Sequence, residues 1–151
     1  MAEDRKHGET VYRFFIDKTG SWFQDGIRIR HRRTYLYNNS LLDMDEEGRF
    51  FVDEGSGRLY VEVEDTPYVV KMVHTRGGEF YLRLNDETEE ILDFGSLLLT
   101  AGNVPYAKVK NKRFEARLSR PAYYELVKSA VKEGNCYFIE AGGVRRVIKK
   151  D

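Results

Sequence analysis

Four arginines carry the chemistry that this sequence offers most directly. Arg30 and Arg33 lie in the run IRIRHRRTYLY, which begins at Ile27, and Arg117 and Arg120 lie in FEARLSRPAYY, which begins at Phe114. A guanidinium presents a planar fork of N–H donors that matches the oxygens of a phosphate or carboxylate. The two runs share more than their arginines. Tyr37 answers to Tyr124, and Phe51-Val52-Asp53 answers to Phe138-Ile139-Glu140, all at one offset of 87 residues. A constant offset through an arginine pair, an aromatic residue and an apolar strand indicates one supersecondary unit used twice. It sets Arg30, Arg33, Arg117 and Arg120 in matching positions at two helix starts, where backbone N–H groups add their own attraction for anions. These four are the expected ligand-binding residues. The competing reading is that they pair with acidic residues between positions 62 and 93 of the same molecule.

Other motifs copy the letters of known sites. Asp17-Lys18-Thr19-Gly20 follows the apolar Phe14-Phe15-Ile16 and matches enzymes in which a strand-end carboxylate attacks phosphorus. It gives the alternative function, a magnesium-dependent phosphatase or hydrolase using Asp17. That chemistry also needs a paired-carboxylate magnesium site in a parallel α/β fold, and the chain has no Asp-Asp pair. A hairpin turn before Trp22-Phe23 explains both Asp17 and Gly20. Asp43, Asp45, Glu47, Gly48 and Glu54 fall on positions 1, 3, 5, 6 and 12 of a calcium loop. The exiting helix of such a loop is missing, because Phe50-Phe51-Val52 and Gly55-Ser56-Gly57 read as strand and turn. Asp93-Phe94-Gly95 copies the magnesium triplet of protein kinases, but no Gly-rich loop or His-Arg-Asp segment accompanies it. His7, His31 and His74 lack the mutual spacing of a metal site. Cys136 is the one cysteine, which excludes an intramolecular disulfide and a Cys-based zinc site. Its apolar strand neighbours make it a buried small hydrophobe. No catalytic constellation is complete, and no metal or cofactor is expected.

Charge narrows the partners. The formal net charge is zero, yet residues 1–95 hold 13 Lys and Arg against 20 Asp and Glu, and residues 96–151 hold 12 against 5. The halves, at −7 and +7, are electrostatic complements that either face each other internally or join protomers, and a homodimer is the expected assembly. A sequence pI of about 6.9 argues against nucleic acid, whose binders carry a basic footprint. No apolar run approaches a membrane span, and the first ten residues are charged rather than signal-like. A cytoplasmic location with no membrane partner follows as the expectation.

The elements that position these residues are mainly strands. Residues 11–16 and 21–24 flank a Gly-bearing turn, 49–53 and 58–63 flank Gly55-Ser56-Gly57, and 67–73 turn back through Gly77-Gly78 onto alternating Phe80, Leu82 and Leu84. A strand over 88–93, a hairpin over 104–118 and a closing hairpin over 137–148 complete the set. A first helix over 32–42 is predicted to place Leu36, Tyr37, Ser40 and Leu41 on one face. A second starts at the cap Ser119, takes Pro121 in its first turn and keeps helical spacing through Ala130 and Val131 to Gly134. The class is α+β, mainly antiparallel with two short helices and an internally repeated hairpin-helix-hairpin motif. Residues 11–66 form an N-terminal lobe holding the first copy, and residues 67–151 form a C-terminal lobe with a linking hairpin and the second copy.

FFIDKTGSWFQDG (14–26), VEVEDTPYVV (61–70) and EARLSRPAYYELV (115–127) together resemble the bacterial family called domain of unknown function 1285. The resemblance extends from about Phe14 to Ile148. It implies an α+β fold with an internal repeat, no established activity and a suggested role in signal transduction. The expected function is a binding or regulatory module whose partner is a protein or a small anionic ligand.

Overall fold

The structure, a computed structural model, describes residues 12–100 and 103–150, the last three by backbone alone. Val11 and His7 lie outside the described residues. The chain divides into two compact units at Pro67–Tyr68.

The N-terminal unit contains β1 (Tyr12–Ile16), β2 (Trp22–Gln24), β3 (Ile27–Arg28), α1 (Arg32–Leu41), β4 (Asp43–Met44), β5 (Phe50–Asp53) and β6 (Arg58–Val63). They form one six-stranded sheet in the order β3-β2-β1-β6-β5-β4. Two antiparallel three-stranded meanders meet in it, and the junction is the parallel pair β1 and β6, with Phe15 opposite Glu62 and Ile16 opposite Val63. Alternation sends Phe14, Ile16, Trp22, Val52 and Val61 inward, all buried. The helix α1 differs from its expected face. Its buried residues are Asn38 and Asn39, while Tyr37 is 49% exposed and Ser40 is exposed. The cause is a nonlocal hydrogen bond: the buried indole Nε1–H of Trp22 donates to Asn39 Oδ1 at 3.0 Å. A buried donor left without an acceptor is costly, so the helix turns its amide face to the sheet.

The C-terminal unit repeats the sheet. It contains β7 (Tyr68–Arg76), β8 (Glu79–Leu84), β9 (Glu89–Ile91), a single 3-10 turn (Phe94–Ser96), β10 (Leu98–Leu99), β11 (Pro105–Val109), β12 (Phe114–Leu118), α2 (Arg120–Val127), β13 (Val131–Glu133), β14 (Cys136–Ala141) and β15 (Val144–Lys150). The order β10-β11-β12-β7-β8-β9 again joins two antiparallel meanders through a parallel pair, here β12 and β7. Val70, Leu82, Val109, Ala116 and Leu126 are fully buried. A separate three-stranded sheet, β13-β14-β15, follows α2. The guanidinium of Arg146 ties β15 to the 3-10 segment by donating to Gly95 O at 2.7 Å and Leu97 O at 2.8 Å.

The described residues thus form an α+β fold in which meander, helix, meander occurs twice, first as β1-β2-β3, α1, β4-β5-β6 and then as β10-β11-β12, α2, β13-β14-β15. The meanders have three strands where hairpins of two were expected. In the first copy the outer meanders pair with each other, whereas in the second β12 takes β7 as its parallel partner. The second helix is shorter than its periodicity predicts. It ends at Val127, where Ala130 N–H donates to Val127 O and the Ser129 hydroxyl donates to Leu126 O. Val131 instead pairs with Phe138 across β13 and β14, and Gly134 supplies the left-handed residue of that turn at φ +63°.

Candidate anion-binding cleft

In the C-terminal unit the junction of β12 and α2 brings Arg117 and Arg120 onto one cleft. Arg117 lies on β12 opposite Tyr106 of β11 and Val69 of β7. Leu118 closes the strand, Ser119 caps the helix and Arg120 is its first residue. Ser119 fixes this corner three times over. Its backbone N–H donates to Val70 O at 2.9 Å, its hydroxyl donates to Lys71 O at 3.1 Å, and its Oγ accepts the N–H of Ala122 at 3.3 Å. The helix start is therefore held against β7 rather than free to swing.

The cleft has a volume of about 410 Å³. Arg117 and Arg120 line it together with Ser119, Tyr123 and Tyr124 from the corner and helix, and Asn103, Val104, Pro105 and Leu118 from the adjoining strands. Asn103 sits at φ +60° in the turn before β11, with its N–H on Thr100 O. Pro105 and Leu118 are buried and give the cleft an apolar floor. Burial pushes the Tyr123 phenol above its ordinary value, so it is a neutral hydrogen-bond donor at physiological pH. The helix end itself contributes less than its position suggests. Pro121 has no N–H, Ala122 N–H is bound by Ser119 Oγ and Tyr123 N–H by Ser119 O. The two guanidiniums are the charged side chains among the residues lining the cleft. A volume of this size matches small-molecule sites.

Arg30 and Arg33 are placed differently. Both are exposed in the N-terminal unit, Arg30 just before the cap His31 and Arg33 in the first turn of α1, and neither lines this cleft. Arg33 and Arg120 do share a first helical turn. Arg30 and Arg117 do not share an environment, because β3 ends at Arg28 while β12 continues to Leu118. By sheet register the counterpart of Arg117 is Glu62, which lines a separate cleft of about 400 Å³ with Phe15, Phe23, Arg13 and Asp25. Arg13 Nε and Asp25 Oδ2 are 3.7 Å apart there.

The other motifs find local explanations. Asp17 Oδ1 accepts Thr19 N–H at 2.9 Å, Thr19 Oγ1–H at 2.6 Å and Ser21 N–H at 3.0 Å, organising the turn between β1 and β2. Burial works against its ionisation, but the bonds from Thr19 and Ser21 and the charge of Arg28 hold its carboxyl below the ordinary range. Asp45 lies in the turn between β4 and β5. Its carboxylate accepts Glu47 N–H, Arg49 N–H, Arg49 Nε–H and Tyr60 Oη–H, all within 3.0 Å. No group of three or more metal-ligating side chains is placed for an ion among the described residues. Phe94 is buried and stacks on Phe80, which accounts for the Asp93-Phe94-Gly95 triplet as a packed 3-10 turn. His31 is exposed at the start of α1, and His74 stacks on Tyr81 with Nε2 3.4 Å from Glu89. Cys136 is half-buried at the start of β14, less enclosed than expected, since β13 and β14 leave their first residues open.

The acidic and basic halves do meet inside the C-terminal unit. Lys110 Nζ lies 2.8 Å from Asp86 Oδ2 and 3.0 Å from Thr88 Oγ1, and Lys112 Nζ is 3.8 Å from Asp93 Oδ2. Glu90 accepts the backbone N–H of Lys110. Lys110 and Lys112 make these contacts. Nothing in the sequence pointed to Asn103, Pro105 or Tyr123, which carry no charge signal. The combination of Ser119 cap and flanking arginines was the available signal.

No protein-family model matches the chain, and no curated protein matches it. Two solved structures do. A DUF1285 family protein from Silicibacter pomeroyi DSS-3, at 2.50 Å resolution, superposes with a TM-score of 0.71 at 20% identity, covering 89% of this chain and 78% of that one. A DUF1285 family protein from Shewanella baltica OS155, at 1.40 Å, gives a TM-score of 0.66 at 20% identity, covering 78% of this chain and 92% of that one. The fold is that of these DUF1285 proteins. At this identity the DUF1285 likeness establishes the arrangement of strands and helices. No helix among the described residues is long and apolar enough to cross a membrane.

Proposed function

We propose that the protein is a cytoplasmic binding or regulatory module, of the kind signal transduction uses, whose C-terminal unit takes a small anionic ligand. The supporting observation is that Arg117 and Arg120 line one cleft of about 410 Å³ on a corner fixed by Ser119. One guanidinium comes from a strand and the other from a helix, and each carries a fork of N–H donors. Tyr123 and Asn103 add neutral polar groups beside them. Ligand engagement would bias the β12–α2 corner, a route by which binding is reported to a partner protein. We propose a homodimer as its assembly, since closed two-fold pairs are the commonest oligomers.

A thermal-shift screen of phosphorylated and carboxylated small molecules tests the reading. A ligand at a hundred times its Kd stabilises by about 2.7 kcal/mol. The shift is expected to vanish in Arg117→Gln and to persist in Arg33→Gln. A shift that survives Arg117→Gln and Arg120→Gln together would refute it.

A further inference from the structure

We infer that the anion taken by this cleft is aromatic, a single planar ring system carrying one phosphate or carboxylate; the inference rests on the proposed anion site and goes on to name its ligand class. The cleft is not built for a bare anion. Its floor is apolar, with Pro105 buried and Leu118 only 2% exposed, and Tyr124 stands at its edge 57% exposed. An inorganic anion would engage the guanidiniums and leave the exposed Tyr124 ring in water. Open ion pairs of that kind bind weakly.

Tyr123 and Tyr124 are consecutive on α2, so their side chains leave the helix about 100° apart. Both line the cleft, which therefore runs along the flank of the helix and past its first residue, Arg120. A ligand lying in it has a phenol ring beside it and a guanidinium at its end. Tyrosine faces stack on planar rings, and guanidinium planes do the same, whereas a flexible alkyl chain gains neither contact. The volume of about 410 Å³ lies near the lower end of small-molecule sites, enough for one ring system and its head group. The head group would lie between Arg117 and Arg120, and the ring over Leu118 and Pro105 against Tyr124.

Titration calorimetry of the full chain with inorganic phosphate, phenyl phosphate, butyl phosphate and neutral benzyl alcohol tests this. Phenyl phosphate is expected to bind at least tenfold tighter than either inorganic or butyl phosphate, with no heat from benzyl alcohol. Tyr124→Ser, at an exposed position that should not disturb folding, is expected to remove that preference by bringing phenyl phosphate to the affinity of butyl phosphate. Equal affinity for phenyl and butyl phosphate would overturn the inference, and so would a preference that survives Tyr124→Ser. Binding of inorganic phosphate that depends on Arg117, with no gain from the ring, would leave the anion site standing and sink the aromatic class alone. Silence from all three phosphates would refute the anion site and this inference together.

Discussion

Glu62 and Arg117 occupy equivalent places in the two six-stranded sheets. Each pairs in parallel with the first strand of its unit, Glu62 opposite Phe15 and Arg117 opposite Val69. The residue after next closes both pairs in the same way, Glu64 N–H donating to Ile16 O and Ser119 N–H to Val70 O. One backbone plan thus presents a carboxylate in the first unit and a guanidinium in the second. The side chains, not the fold, are the reason the proposed anion site lies in the C-terminal unit.

The Ser119 corner should be separable from the charge that it positions. Ser119→Ala removes the acceptor for Ala122 N–H and the donor to Lys71 O, and is expected to cost about 1 kcal/mol of stability, as cap removals do. Anion binding should weaken with it, because the cap fixes Arg120. Urea unfolding and calorimetry read the two effects. Unchanged binding would mean that Arg120 does not need its anchor.

Much of this corner was legible in the sequence because its signals are local. Ser119 and Pro121 mark a helix start by their own chemistry, and the arginines show their charge. What was illegible depends on partners far along the chain. The buried Asn39 accepts a hydrogen bond from the indole of Trp22, a partner outside its own helix that helical spacing does not show. Ala130 and Val131 continue the helical period, yet cross-strand pairing of Val131 with Phe138 outweighs that weak preference. The parallel pairs β1 with β6 and β7 with β12 left no local trace.

Trp22 is the only tryptophan, so its fluorescence reports on the N-terminal unit. Asn39→Ala leaves the buried indole N–H without its acceptor and is expected to destabilise that unit by about 1–3 kcal/mol. A fluorescence-detected urea midpoint equal to that of the parent would show that this hydrogen bond does not hold α1.

Asp86 gives the C-terminal unit an acid-sensitive link. Burial opposes its ionisation, but the bonds from Lys110 and Thr88 hold its carboxyl below the ordinary value of 3.8. A depressed folded-state pKa stabilises the fold fully above the unfolded value, and that contribution is lost as pH falls through the folded one. Asp86→Asn is therefore expected to lower stability at pH 7 by about 2 kcal/mol. The difference from the parent should shrink below pH 3.8. A difference independent of pH would assign the loss to packing.

Calcium should leave the turn at Asp45 unmoved. Its carboxylate already serves the N–H groups of Glu47 and Arg49, the Arg49 side chain and the Tyr60 hydroxyl. No heat is expected on titration to millimolar calcium. Heat abolished by Asp45→Asn would mean that the ion displaces these donors.

Amide chemical-shift mapping of the labelled full chain, titrated with phenyl phosphate, tests the central claim most directly. The account predicts perturbations centred on Arg117, Ser119, Arg120, Tyr123 and Tyr124, fading in Arg117→Gln. Perturbations centred on Arg30, Arg33 and α1, or none at millimolar ligand, would contradict it.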